Sequence, residues 1–410
     1  MFTKFTSRSW ITLSPISIIR RRRRSSRNKP VDTSAVNTLP TELLQDIFQV
    51  VFLSHEDVYG RIPIVLSLGQ VCRRWREIAH GYPSLWRTFD VTAKSCYSRN
   101  ILRLCLENSA PCLLDFRVTI QHIKGFSDIR IFYRATGLMC ELVKHCSRWQ
   151  HTNFITNIAY PLCDVQPGSL KELVSVSFSK PKGSMGLDIQ DFWENVCHEA
   201  HTQLRSVSWG RSGMVSPPTH APWHQLVQID FGLVARFRDV ALILPLCQSM
   251  ESLTICGIWD ENFSLDRSPP LRIKPLTCNT LKELSIRGSA GIFDISSLLN
   301  SLIVPNVQVV KVYFNSESFY PKFPSDSLFI LLSRSRCSLR RLECREFRKT
   351  GDQELVARYL RAPFCQTLTG FHIDCDTTPD ILDGLKNLPY LRDVHLPTTN
   401  PASYPSHAQC

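Results

Sequence analysis

Residues 37–90 read NTLPTELLQDIFQVVFLSHEDVYGRIPIVLSLGQVCRRWREIAHGYPSLWRTFD. Pro40 suits the first position of a helix, where its missing N–H costs nothing, and Glu42 in the first turn favours the helix dipole. Leu43, Leu44, Ile47, Phe48 and Val51 then recur at helical spacing and make a broad apolar face. Ser54 to Pro63, with Gly60 and Pro63, reads as a loop. A second helix is predicted from about Ile64, carrying Val65, Leu68, Val71, Cys72, Trp75, Ile78 and Ala79 on one side, until Gly81 and Pro83 stop it. Leu85 and Trp86 follow, placed to cover the core. Two helices of this size cannot bury so many large side chains between themselves. Part of the face must meet the rest of the chain or a partner.

The stretch resembles the F-box family, whose pattern is an L-P-x-E-hydrophobic helix followed by V-C-R-x-W. Leu39, Pro40, Glu42, Leu43, Leu44, Ile47 and Phe48 match the first half, and Val71, Cys72, Arg73 and Trp75 the second. Pro83, Leu85 and Trp86 look like the P-x-LW ending common in fungal members. The resemblance implies docking on a Skp-type adaptor and, through it, on a cullin and a ubiquitin-conjugating enzyme. It also implies adaptor contacts by Leu39, Pro40, Leu44, Ile47 and Phe48, with Trp75 and Val71 holding the helices together. One departure is the connection between the halves, where SHEDVYGRIP makes it longer than in compact members.

Toward the N-terminus the composition changes. Residues 1–36 hold nine Lys and Arg, five of them consecutive at Arg20 to Arg24, against the single acid Asp32. Of the chain's 48 basic and 36 acidic side chains, 39 and 35 therefore fall in the other 374 residues, a net of only +4. That balance gives no broad basic face, so no specific nucleic acid is expected as a partner. The tail is a poor secretory signal, because its basic cluster follows the weakly apolar stretch and Pro15 interrupts it. It reads as a disordered extension, a nuclear-import patch or a mitochondrial presequence. No apolar run approaches bilayer length, so no membrane is expected either. The chain is expected in the cytoplasm, the nucleus or both.

Chemistry-bearing motifs are missing. The sixteen cysteines contain no CxxC, and Cys140 with Cys146, the closest pair, has no His at zinc spacing. They read as free thiols used as small hydrophobes, with Cys344 in LRRLECREF as an example. Gly210-Arg211-Ser212-Gly213 lacks the spacing of a nucleophile elbow, and His198 and His201 are three apart instead of four. No catalytic residue, metal or cofactor is expected, and the chain is read as a non-catalytic protein.

Residues 91–150 read as a connector with helical character. Ile101 to Leu106 and Leu138 to Cys146 suggest helices, with a short strand at Leu113 to Ile120. Beyond it an L-x-x-L-x-L form recurs at Leu173/Val176/Phe178, Leu204/Val207/Trp209, Leu226/Ile229/Phe231, Met250/Leu253/Ile255, Leu281/Leu284/Ile286, Val307/Val310/Val312, Leu339/Leu342/Cys344, Leu368/Phe371/Ile373 and Leu391/Val394/Leu396. Each step allows one strand and a return segment, the plan of a leucine-rich repeat. Asn315 alone stands where such repeats favour asparagine. An ordinary α/β domain of alternating strands and helices is the alternative.

The fold expected is thus α+β or α/β, with a helical F-box module followed by an irregular leucine-rich-repeat-like α/β solenoid. Its divisions are a basic tail (1–36), an F-box domain (37–90), a helical connector (91–150), a repeat array (151–400) and a C-terminal tail (401–410). The function expected is that of a substrate-recruiting adaptor in a Skp–cullin–F-box ubiquitin ligase, whose protein substrate the sequence does not name. The alternative is a leucine-rich-repeat scaffold acting without a ligase. Between the second and third positions of each repeat a residue points to the opposite face. Asp230, Thr254, Ser285, Lys311, Glu343, His372 and His395 form that polar row, with Arg287, Tyr313, Arg345 and Asp374 two residues further on. Arg287, Tyr313, Arg345, Lys311 and His372 are the candidate substrate-binding residues.

Overall fold

A computed structural model describes residues 38–396 apart from 56–60, 93–97, 121–128, 157–161, 163–164, 167, 180–192, 195–202, 210–220, 233–234, 257, 260–274, 289–294, 315–324, 346–349 and 375–377. The basic tail, the C-terminal residues 401–410, His198, His201, Gly210 to Gly213 and Asn315 lie outside the described residues.

The N-terminal part is helical. Helix α1 (Thr41–Leu53) starts behind Pro40, which sits just outside it. Its inner stripe is Leu44, Phe48 and Phe52, spaced four apart so that all three point to one side. Arg61 closes its far end, donating to the Leu53 and His55 carbonyls with its guanidinium 4.9 Å from the Phe52 ring. The second helix expected from the periodicity is two. Helix α2 (Ile62–Val71) and helix α3 (Arg73–His80) are separated by Cys72, whose extended backbone breaks the run while its Sγ accepts from the Trp75 N–H. Arg76 Nε donates to Gly69 O across the break, and Arg74 reaches the Leu39 carbonyl at the foot of α1.

A mixed α/β region follows, built on one large parallel sheet. Its strands are β1 (Thr88–Thr92), β2 (Leu114–Thr119), β3 (Trp149–Ile155), β4 (Ser175–Ser179), β5 (Ser206–Ser208) and β6 (Gln228–Asp230). They continue as β7 (Ser252–Ile255), β8 (Glu283–Gly288), β9 (Val309–Phe314), β10 (Arg341–Arg345), β11 (Gly370–Ile373) and β12 (Asp393–His395). Their order across the sheet is their order along the chain. Helices α4 (Ser98–Asn108), α5 (Ile129–Val143), α6 (Phe237–Ile243), α7 (Ser296–Ser301), α8 (Ser325–Ser335), α9 (Thr350–Leu360) and α10 (Pro379–Lys386) lie in the connections. The sheet therefore begins at Thr88, and the segment read as a connector holds β2 and shares β1 and β3 with its neighbours.

Register explains the core. Phe89, Phe116, Thr152, Val176, Val207, Ile229, Leu253, Leu284, Val310, Leu342, Phe371 and Val394 stand side by side across all twelve strands. Two residues on, Val91, Val118, Phe154, Phe178, Ile255, Ile286, Val312, Cys344 and Ile373 form a second buried row. The helices cover these rows with Leu102 and Leu106 of α4, Leu138 and Leu142 of α5, Leu328 and Leu332 of α8, and Leu360 of α9. One continuous core joins Leu44 to Leu388.

Candidate functional site

Two surfaces carry residues that the sequence singled out. The first is α1. Leu44 and Phe48 are 1% and 0% exposed, and the Phe48 ring packs 4.9 Å from that of Trp75. They hold the helices together, so neither presents its side chain to a partner in this arrangement. Leu39 is half-buried against the core, whereas Pro40 and Ile47 are exposed. Val71, expected to clamp the helices, is instead 61% exposed, because it ends α2 on the outer side. Trp75 alone keeps that role. Leu43, Val50 and Val51 join Ile47 on the uncovered side of α1. The helix thus has an apolar stripe on each side. One is consumed by its own fold and the other is left in solvent.

The second surface is the sheet face opposite the core rows. The row Asp90, Arg117, Asn153, Ser177, Ser208, Asp230, Thr254, Ser285, Lys311, Glu343, His372 and His395 crosses all twelve strands in register. Its character changes along the sheet. The middle strands offer Asn153, Ser177 and Ser208, short neutral groups. From β8 onward the face is a mosaic of charge.

There Arg287, Tyr313 and Arg345 stand in adjacent register. The Tyr313 hydroxyl donates to Glu343 Oε2 at 3.2 Å, and the Arg345 guanidinium lies 5.6 Å from the phenol ring. Arg345 and Arg341 approach Glu343 at 3.6 and 3.5 Å. Lys311 pairs with Glu283 at 2.7 Å, and Arg287 stands 3.9 Å from Asp230. Burial and the nearby Glu343 carboxylate push the Tyr313 hydroxyl up from its ordinary range. Burial and the Arg345 charge pull His372 down. Its ring lies 5.3 Å from that of His395, which pairs with Asp393 at 3.2 Å. Thr254 and Ser285 are buried although they belong to this face. They are short side chains sunk between longer ones such as Asp230 and Lys311. Asp374 is exposed at the end of β11.

Sequence reasoning missed Glu283, Arg341 and Asp393, which neutralise the cations of this mosaic or are neutralised within it. They lie two residues before the polar row and so on the same face. That offset was available in the sequence.

The arrangement suits binding. Among the described residues no group of three or more His, Cys, Asp or Glu is placed to hold a metal ion. None of the described cysteines is in a disulfide, and burial pushes Cys105 and Cys365 up to about 12. Among the described residues no helix is long and apolar enough to cross a membrane.

Comparison with known proteins bears on the first surface. The F-box-like family matches residues 36–92, so the three helices and β1 carry an F-box-like domain, a module of protein–protein interaction. No curated protein matches the chain. The crystal structure of a Bacteroides fragilis protein from a structural-genomics consortium is similar at 13% identity with a TM-score of 0.36. The likeness covers 69% of this chain and 87% of that one, and at that score carries no argument.

Proposed function

We propose that the chain is the substrate-recruiting subunit of a Skp–cullin–F-box ubiquitin ligase, and that it performs no bond chemistry itself. In this reading α1 docks on a Skp-type adaptor, which links the chain to a cullin. The sheet is a leucine-rich-repeat-like solenoid whose open face selects a target protein. Strands in chain order support a solenoid over a doubly wound domain, in which the strand order reverses at a switch point. Catalysis is by proximity, since a held target experiences a high effective concentration of the ubiquitin-loaded enzyme. Arg287, Tyr313, Arg345, Lys311 and His372 are the proposed substrate contacts, Tyr and Arg being the types that dominate interface hot spots.

The observation that carries the reading is the outer stripe of α1. Leu43, Ile47, Val50 and Val51 are exposed although the F-box-like domain has already buried Leu44, Phe48 and Phe52. An uncovered apolar stripe on a well-packed helix marks a partner's seat. Burying a Leu or Ile contributes about 1.5–3 kcal/mol, so removing two at one interface weakens it by about a hundredfold or more. Leu43→Ala with Ile47→Ala is expected to abolish capture of a purified Skp-type adaptor while leaving circular dichroism unchanged. Undiminished capture by the folded double variant refutes the assignment and leaves the scaffold without a ligase as the better reading.

A further inference from the structure

The two ends of the sheet are finished differently. At the β1 end the F-box-like helices stand against the sheet. At the other end β12 pairs with β11 on one side, and among the described residues nothing pairs with its outer side. Asp393 N–H donates to the Thr369 carbonyl. Backbone groups alternate along a strand, so the N–H and carbonyl of Val394 point away from the sheet. The surface around that edge is apolar: Val394 is 40% exposed, Tyr390 and Leu382 are exposed, and Leu391 and Leu396 are half-covered. A bare edge beside apolar side chains is a template for another strand.

The strand's own sequence says which one. Asp393-Val394-His395 is its own antiparallel complement. Placed two-fold about Val394, Asp393 of one copy faces His395 of the other, twice over, and the two Val394 side chains meet, continuing the row that runs through the buried Leu342 and Phe371. The outward N–H and carbonyl of Val394 then bond to the same groups of the second copy. We infer that the β12 edge is a homodimer interface, in which two copies of this chain join their sheets antiparallel about Val394. This inference does not depend on the ubiquitin-ligase reading.

Sedimentation velocity of the full chain over a roughly hundredfold concentration range tests it. A reversible dimer is expected. Val394→Pro removes the outward N–H without touching the bonds to β11, and is expected to raise the dimer dissociation constant by roughly tenfold or more. Val394→Cys places a thiol on the two-fold axis, where paired Cα atoms lie about 5.5 Å apart, within disulfide range. Mass spectrometry of the Val394→Cys protein after mild oxidation is expected to find a disulfide joining the introduced thiols of two copies. None is expected from Leu396→Cys, which faces Arg392 of the other copy. Should Val394→Pro fail to fold by circular dichroism, the crosslink decides. A monomer at every concentration overturns the inference, as does a dimer indifferent to Val394→Pro or a Val394→Cys protein that forms no self-link. A monomer whose Val394 amide is protected from exchange also overturns it, and assigns the edge to residues 397–410.

Discussion

At the scale of single residues, α1 separates two roles that the sequence runs together. Leu43, Ile47 and Val51 lie one position before Leu44, Phe48 and Phe52, so both sets obey the helical period and periodicity does not tell inside from outside. Only the packing of Trp75 on Phe48 decides it. Phe48→Ala is expected to cost about 3–5 kcal/mol by opening a cavity, which urea unfolding measures. Ile47→Ala is expected to leave that midpoint nearly unmoved. Three histidines give a second expectation. His80 is held below its ordinary pKa by burial and Arg76, His145 by burial and Arg148, and His372 by burial and Arg345. A lowered pKa means the unfolded chain binds more protons, so stability rises with pH. Their contribution is complete above the unfolded value of about 6.5 and is lost as pH falls below it. Tm is expected to drop between pH 7.5 and 5.5, and His80→Gln to flatten the slope. A slope unchanged in that variant removes His80 from the account.

At the scale of elements, the later strands were legible because Leu, Val and Ile repeat at Leu253/Ile255, Leu284/Ile286 and Val310/Val312. Of the first three only β2 was, as the short strand at Leu113 to Ile120, and none of them was read as part of the repeat. Trp86/Phe89/Val91, Leu113/Phe116/Val118 and Trp149/Thr152/Phe154 follow the same spacing, but aromatics and a threonine replace the aliphatics. Those aromatics pack on one another, Phe89 on Phe116 at 5.6 Å and Phe116 on Trp149 at 5.4 Å. The break at Cys72 escaped notice because Val71, Cys72 and Trp75 sustain the apolar period through it. Nor does any pattern reveal how helices are closed. Arg334 donates to the carbonyls of Leu299, Asn300 and Leu302 at the end of α7, and Arg148 to Leu106 and Cys112 beyond α4. Each arginine reaches back from a later unit to carbonyls at or just beyond the end of an earlier helix. Arg334→Ala is expected to lower stability by about 1–2 kcal/mol, with Arg334→Lys recovering only part because an ammonium lacks the planar fork. Full recovery by lysine in urea unfolding shows that charge alone was at work.

At the scale of the whole molecule, one core joins the F-box-like helices to the sheet, yet each strand touches only its neighbours. The joint is Trp86. Its Nε1 donates to Ala79 O at 2.7 Å and its ring lies 5.3 Å from that of His80, both in α3. Two residues later the chain enters β1, whose Phe89 is stacked on Phe116 of β2. Removing the indole opens a cavity costing about 3–5 kcal/mol, enough to loosen whatever depends on it directly. In a sheet of nearest-neighbour contacts the disturbance dies away along the strand order, because β9 to β12 keep their own register and helices. Hydrogen exchange on Trp86→Ala is accordingly expected to show lost protection in α1 to α3, in β1 and in part of β2. The amides of Val310, Leu342 and Phe371 are expected to keep theirs. Loss confined to the helices makes the F-box-like domain a separate unit tethered by its chain, and equal loss through β11 makes the molecule one all-or-none body. The graded outcome is the one that this topology, with each strand held by its immediate neighbours from Phe89 to Val394, requires.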